Sequence, residues 1–367
     1  MWSRKRQSPH RRLRMCKDCL QIDETTREYV KLLSSVRLEK DTFREITLDQ
    51  TIKDSTFMTL LRSKRATMSP TEKARTRNID KSTPTWQYPA RSERMYKQLI
   101  TRKMKEYSDY AMPLALDNMD RWVREYDAIA TADSIIMDEY SQEVDEVIEG
   151  LYANQQTMFV AEQALINAQL QGVASEVGTQ NQVQFEKFQK VAIGVTFKAG
   201  EPWVDATVDT WVRNNRNLIR GMTSEYIKKF ELTVSQGFQE GLASSQIKQN
   251  LRKMDTNMTK ARASLLARDQ VGKLNGIYTK NRMGEAGLSY YVWLTARDER
   301  VRATHKTMDS TVNKWADTGV YSRDNGKTFS SRPTAMSGAI PGSQIQCRCT
   351  SKPFLKEILG QIDKEET

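Results

Sequence analysis

The chain is poor in the residues that most often carry chemistry. It has four cysteines and two histidines in 367 residues. No Gly-rich phosphate loop, no His-Glu-x-x-His and no nucleophile elbow is present, so the common signatures of nucleotide, zinc-protease and serine-hydrolase chemistry are missing. No apolar run approaches the roughly 18 residues a membrane helix needs, and no membrane partner is expected. The start, "MWSRKRQSPHRRLRMCKDC", is basic without an apolar stretch behind it, so it does not read as a secretory leader. In a reducing cytosol, paired cysteines are more often free thiols or metal ligands than a disulfide.

What is present is charge, unevenly spread over a net of +11. Residues 1–110 carry 26 Lys and Arg against 14 Asp and Glu, whereas residues 111–150 carry 2 against 11. A basic segment ahead of an acidic one suits a nucleic-acid contact, an acidic partner, or the acidic segment itself.

The organisation follows from pattern. Residues 1–20 read as a disordered basic arm. Arg4, Lys5, Arg6, Arg11, Arg12, Arg14 and Lys17 are its candidate phosphate contacts. Residues 21–66 have helical spacing, and 67–90, with three prolines, read as a linker. Residues 91–199 read as long helices with thin apolar faces, including the acidic stretch 111–150. A compact domain is expected over 200–355, followed by a polar tail, 356–367. Pro202 opens a helix whose face runs through Trp211, Asn215, Leu218, Met222, Tyr226 and Phe230. Another helix buries Ala263, Leu266, Gln270, Leu274 and Ile277. "LSYYVWLTA" is aromatic, β-branched and bounded by Gly, which predicts a strand. "TARDERVRATHKTMD" predicts a helix with Thr295 and Asp298 at its start, and "SQIQCRCT" a second short strand. The fold class expected is mainly α with a C-terminal α+β domain: long N-terminal helices, then a compact helical domain carrying a small β-sheet.

Two constellations could carry chemistry. On a strand, Cys347 and Cys349 project to one face with Arg348 opposed. On the expected helix, Asp298, Arg302, His305 and Asp309 form one stripe. Cys347, Cys349 and His305, with one Asp, would suffice for zinc. Otherwise the cysteines are small buried hydrophobes and the stripe is ion-paired. No other cofactor is implied. A thiolate activated by His305 would be an enzyme reading, but no nucleophile signature surrounds it. The second constellation, Cys16-x₂-Cys19 behind His10, reads as free thiols in the arm or as a partial zinc knuckle.

The ordered set "WVRNNRNLI", "ARASLLARDQVGKLNG", "GLSYYVWLTARDERVRATHKTMD" and "PGSQIQCRC" before Pro353 resembles the phage Mu F-like head morphogenesis family, minor head or minor capsid proteins of tailed bacteriophages. The resemblance covers about residues 200–355. Its motif positions include Trp293, Asp298, Arg300, Arg302, His305, Asp309, Pro341, Gly342, Cys347, Arg348 and Cys349. Ser310 stands where the family often has Gly. The resemblance implies a non-catalytic virion protein, present in few copies. It would join the procapsid in the host cytoplasm through the portal, scaffold or major capsid protein, and act in head assembly, DNA packaging or DNA ejection. The basic arm would then contact packaged phage DNA non-specifically. Two readings from other classes stand beside it: a nucleic-acid-binding module using the basic segment, and a thiol/histidine or metal-dependent enzyme.

Overall fold

The computed structural model describes residues 56–76, 84–132, 142–196 and 201–365. All belong to one compact unit, Thr47–Thr367. The basic arm, with its candidate phosphate contacts, His10, Cys16 and Cys19, lies outside the described residues.

Four long helices dominate: α3 (Ala90–Ala132), α4 (Gln142–Ile193), α5 (Trp203–Gln239) and α6 (Ser244–Glu285). Each touches the other three, which makes a four-helix bundle. Two shorter helices precede them, α1 (Thr56–Ala66) and α2 (Pro70–Thr76). Ala, Gln, Leu and Glu, all good helix formers, fill α4, and its 52 residues extend about 80 Å. The expected α5 face is buried from Trp211 to Phe230. The spacing of Ile247, Leu251 and Met254 after Ser245 predicts a short helix, with Asp255 or Thr256 capping the next, but no such break is present. Ser244–Glu285 is one helix, and within it the Asp255 carboxylate accepts from Ser108 and Tyr226 on neighbouring helices.

Buried polar ties fix the bundle's register. Tyr96 Oη donates to Asn215 Oδ1 at 2.7 Å, and the Trp211 indole N–H to Gln270 O at 3.2 Å. Arg282 holds Glu201 with both ends of its fork, at 2.6 and 2.8 Å, and donates to Gly178 O and Asn181 Oδ1. It therefore joins α4, α6 and the approach to α5. The acidic stretch also serves its own chain: Asp120 accepts from Lys248 Nζ at 2.8 Å and Glu143 pairs with Arg121.

Beyond α6 the chain builds a five-stranded antiparallel sheet in the order β4-β3-β2-β1-β5. Its strands are β1 (Tyr290–Leu294), β2 (Val312–Lys314), β3 (Val320–Ser322), β4 (Ser330–Ser331) and β5 (Thr350–Pro353). A short helix, α7 (Ala303–Lys306), lies between β1 and β2, and α8 (Lys356–Glu365) follows β5. The mainly-α fold with a C-terminal α+β part is therefore observed. Strand β1 is the pivot: Tyr291 and Trp293 enter the main core, while Val292 and Leu294 pack with Val312 and Phe354 on the other side. That main core also collects Phe57 and Leu61 of α1, Phe185 and Phe188 of α4, and Met283 of α6.

Three sequence expectations need correction. The 67–90 segment carries α2, and its Trp86 is buried edge-on against Phe185, with Trp86 O accepting from Thr350 Oγ1 at 2.8 Å. The 356–367 tail is not merely polar, because Ile358, Leu359 and Ile362 stand at helical spacing and α8 buries them in the main core. The helix expected over 295–309 shrinks to α7. Asp309 Oδ1 accepts from both the backbone N–H and the hydroxyl of Thr295, at 2.8 and 2.9 Å, and Oδ2 from Arg297 at 3.1 Å. These side-chain bonds offer the backbone an alternative to a helix. Arg297 accordingly sits in the left-handed region with φ 54°.

Candidate metal centre

The centre is assembled on one face of α6. Gly272 and Gly276 stand one turn apart there and let another backbone lie directly on the helix. A Cβ at Gly276 would come within 2.5 Å of Pro341 O, and one at Gly272 within 2.8 Å of Cys347 O. Gly342 has φ 88°, and a Cβ there would collide with Gly272 O. One turn before Gly272, the Asp269 carboxylate accepts from the backbone of Gln346 and is pushed up from the usual carboxylate range by burial, against the pull of Lys273 at 2.8 Å. The Pro341-Gly342 turn and the Cys-Arg-Cys loop are thus seated on the Asp269-x₂-Gly272-x₃-Gly276 face.

The seat presents two sulfurs to α7. Cys347 and Cys349 lie in the loop before β5, not on a strand, so backbone alternation does not bring them together. A turn does: the Cys349 N–H points at Cys347 Sγ, 3.4 Å away. His305 Nδ1 lies 3.3 Å from Cys349 Sγ and 3.6 Å from Cys347 Sγ. Exposure of His305 is 3%, and of each cysteine 4%.

Hydrogen bonds fix the imidazole tautomer. Gln344 Nε2 donates to Ala335 O at 2.9 Å, which leaves its Oε1 facing His305 Nε2 at 2.6 Å. A proton on Nε2 satisfies that oxygen and turns the Nδ1 lone pair toward the sulfurs. Arg302 anchors the same corner by donating to Ile345 O. Trp293 packs edge-on against the imidazole with centroids 6.1 Å apart. Its buried indole N–H has no acceptor at ordinary distance, and Cys349 sulfur is the group it approaches. The two thiols titrate as a pair. Cys347 is held low chiefly by the hydrogen bond from Cys349. Cys349 is pushed up by the same bond and by burial.

The remaining motif residues do not form the stripe expected on a helix. Asp298 pairs with Arg348, clamping the turn before α7 to the Cys-Arg-Cys loop. Asp309 closes the 295–309 loop, so neither carboxylate joins the sulfurs. The Arg300 side chain pairs with its neighbour Glu299 at 3.7 Å, and its backbone N–H donates to Asp298 Oδ1 at 3.2 Å. Ser310 keeps the left-handed turn that favours Gly, with φ 61°, held by its N–H on Trp293 O at 2.8 Å. The group that the sequence reading missed is Arg332. Buried behind the centre, it donates to Val320 O, Ala339 O, Tyr291 Oη and Asn313 Oδ1, and lies over the Trp293 ring.

Residues 228–352 match the family described as Phage Mu protein F like protein. The match contains α6, the seat, β1, α7 and the Cys-Arg-Cys loop, and it relates this region to a phage head family. The chain is also 27% identical over 187 residues to an uncharacterized protein of Haemophilus influenzae, covering 50% of this chain and 38% of that protein. It is 24% identical over 147 residues to an uncharacterized protein of Methanocaldococcus jannaschii, covering 40% of this chain and 20% of that protein. The chain therefore spans well under half the length of these curated relatives. No solved structure matches it.

Proposed function

From a region that matches the phage Mu protein F like family, we propose that this chain is a minor head protein of a tailed bacteriophage. It acts in procapsid assembly and in DNA packaging or ejection. The observation that carries the reading is the family match over residues 228–352, the part of the chain that builds the seat and its loop. Its partners are other head proteins: portal, scaffold or major capsid protein. Long helices suit such docking, and α4 leaves Val160 and Leu165 exposed at 66% and 53%. The excess positive charge of residues 1–110 suits contact with packaged DNA.

The reading is non-catalytic. Both thiols are buried, and the imidazole lone pair is turned inward onto them. A nucleophilic thiolate works from a partly exposed position, and no helix among the described residues is long and apolar enough to cross a membrane. The test is a tagged chain recovered from infected-cell lysate, with nuclease and a high-salt wash. Portal, scaffold or capsid protein retained through both is expected. Recovery of DNA alone, lost at high salt, would move the function to the basic segment.

A further inference from the structure

We propose that His305 Nδ1, Cys347 Sγ and Cys349 Sγ hold one zinc ion that clasps the Cys-Arg-Cys loop to α7. The proposal does not rest on the head-protein reading. It starts from distances. Zinc takes sulfur at about 2.3 Å and imidazole nitrogen at about 2.0–2.1 Å, so tetrahedral ligands stand roughly 3.5–3.8 Å apart. The two nitrogen–sulfur separations are 3.3 and 3.6 Å, and all three ligand atoms lie within 4.8 Å of one another. The donors are already gathered around a point that a zinc ion would occupy with little movement.

The surroundings fit a metal better than three neutral side chains. A ligating histidine gives its other ring N–H to an oxygen that orients it. Here Gln344 does so, and is itself fixed by Ala335 O. Coordinated thiolates collect N–H donors. Cys347 has the Cys349 backbone N–H, and the Trp293 indole N–H, with no acceptor at hydrogen-bond distance, stands toward Cys349. Two thiolates, a neutral imidazole and Zn²⁺ sum to zero charge, which suits a site this deeply buried. Softness of the donors selects zinc over magnesium or calcium. Among the described residues these three are the protein donors, one short of the four that tetrahedral zinc takes.

The site is structural in consequence. The ligands come from α7 and from the loop ahead of β5, so the ion would crosslink the connection between β1 and β2 to the approach to β5. The Asp298–Arg348 pair marks the same junction from its outer side.

The experiment uses the full chain, purified under reducing conditions, with Cys16→Ser and Cys19→Ser introduced to remove the other thiols. One zinc per chain is expected by elemental analysis. Cobalt(II) added to the metal-stripped chain should give the intense visible bands of tetrahedral coordination and a thiolate charge-transfer band. Gln344→Ala, which leaves every ligand in place, should weaken zinc binding about 10- to 100-fold. Cys347→Ser should abolish the thiolate band; if that variant does not fold, the cobalt spectrum and the Gln344→Ala titration still decide. A folded chain that binds neither zinc nor cobalt, or zinc retained when Cys347 and Cys349 are both Ser, would overturn the proposal.

Discussion

Gly342→Ala is expected to destabilise the chain by about 3 kcal/mol or more. Two independent costs combine. At φ 88° an L side chain meets its own backbone, at roughly 1–2 kcal/mol. The new methyl also collides with the carbonyl oxygen of Gly272, and overpacking of this kind costs about 1–3 kcal/mol. Neither partner can step aside easily. Gly272 belongs to α6, whose opposite surfaces are packed in the bundle, and the turn is pinned one residue earlier by Pro341 O on Gly276. Gly276→Ala meets only the second cost, so about 1–3 kcal/mol is expected. Gly172→Ala supplies the control. It lies within α4 with nothing near its added Cβ, and should be neutral or stabilising by up to about 1 kcal/mol. Denaturant unfolding of the three variants measures all of this. A Gly342→Ala chain as stable as the control would show that the turn is not seated on α6.

Arg332→Met should cost about 3–5 kcal/mol. The guanidinium is 5% exposed and its partners are carbonyls, an amide and a hydroxyl. Hydrogen bonds from a charged donor are worth about 1.5–3 kcal/mol, and each acceptor stranded in a core costs about 1–3 kcal/mol. Methionine fills the space and satisfies none of the acceptors. The bonds join β1 through Tyr291, β2 through Asn313 and the 336–339 turn, so the loss spreads over the sheet. Arg332→Lys should recover only part of it, since one ammonium cannot replace a planar fork. Unfolding curves of both variants, compared with Arg323→Met at an exposed position, test the claim. A loss under about 1 kcal/mol would contradict it.

Legibility in the sequence differed by the kind of contact involved. Strand β1 is readable because its aromatic and β-branched run follows Gly287, and α5 because its apolar residues recur every third or fourth position. Periodicity overstates the helix over 295–309 because it cannot see Asp309 returning to Thr295. Tail residues Ile358, Leu359 and Ile362 are hard to read as a core face because lysines and glutamates surround a three-residue apolar stripe. His305, Cys347 and Cys349 come together through a turn and an orienting glutamine, not through strand alternation. Gly272 and Gly276 left a signal that could have been used, two glycines one turn apart in a helix of good formers. Arg332 left none, because its partners come from loops whose approach no local pattern specifies.

The account's central claim is that residues 341–353 form a clasp held to α6, not a mobile loop over a reactive thiol pair. Hydrogen–deuterium exchange on the full chain tests it most directly. The account predicts that amides of Ser343–Lys352 are protected nearly as well as those of α6 beside Gly272, and that both segments lose protection together in Gly342→Ala. Exchange of Ser343–Cys349 at the rate of an open loop, while α6 stays protected, would contradict it.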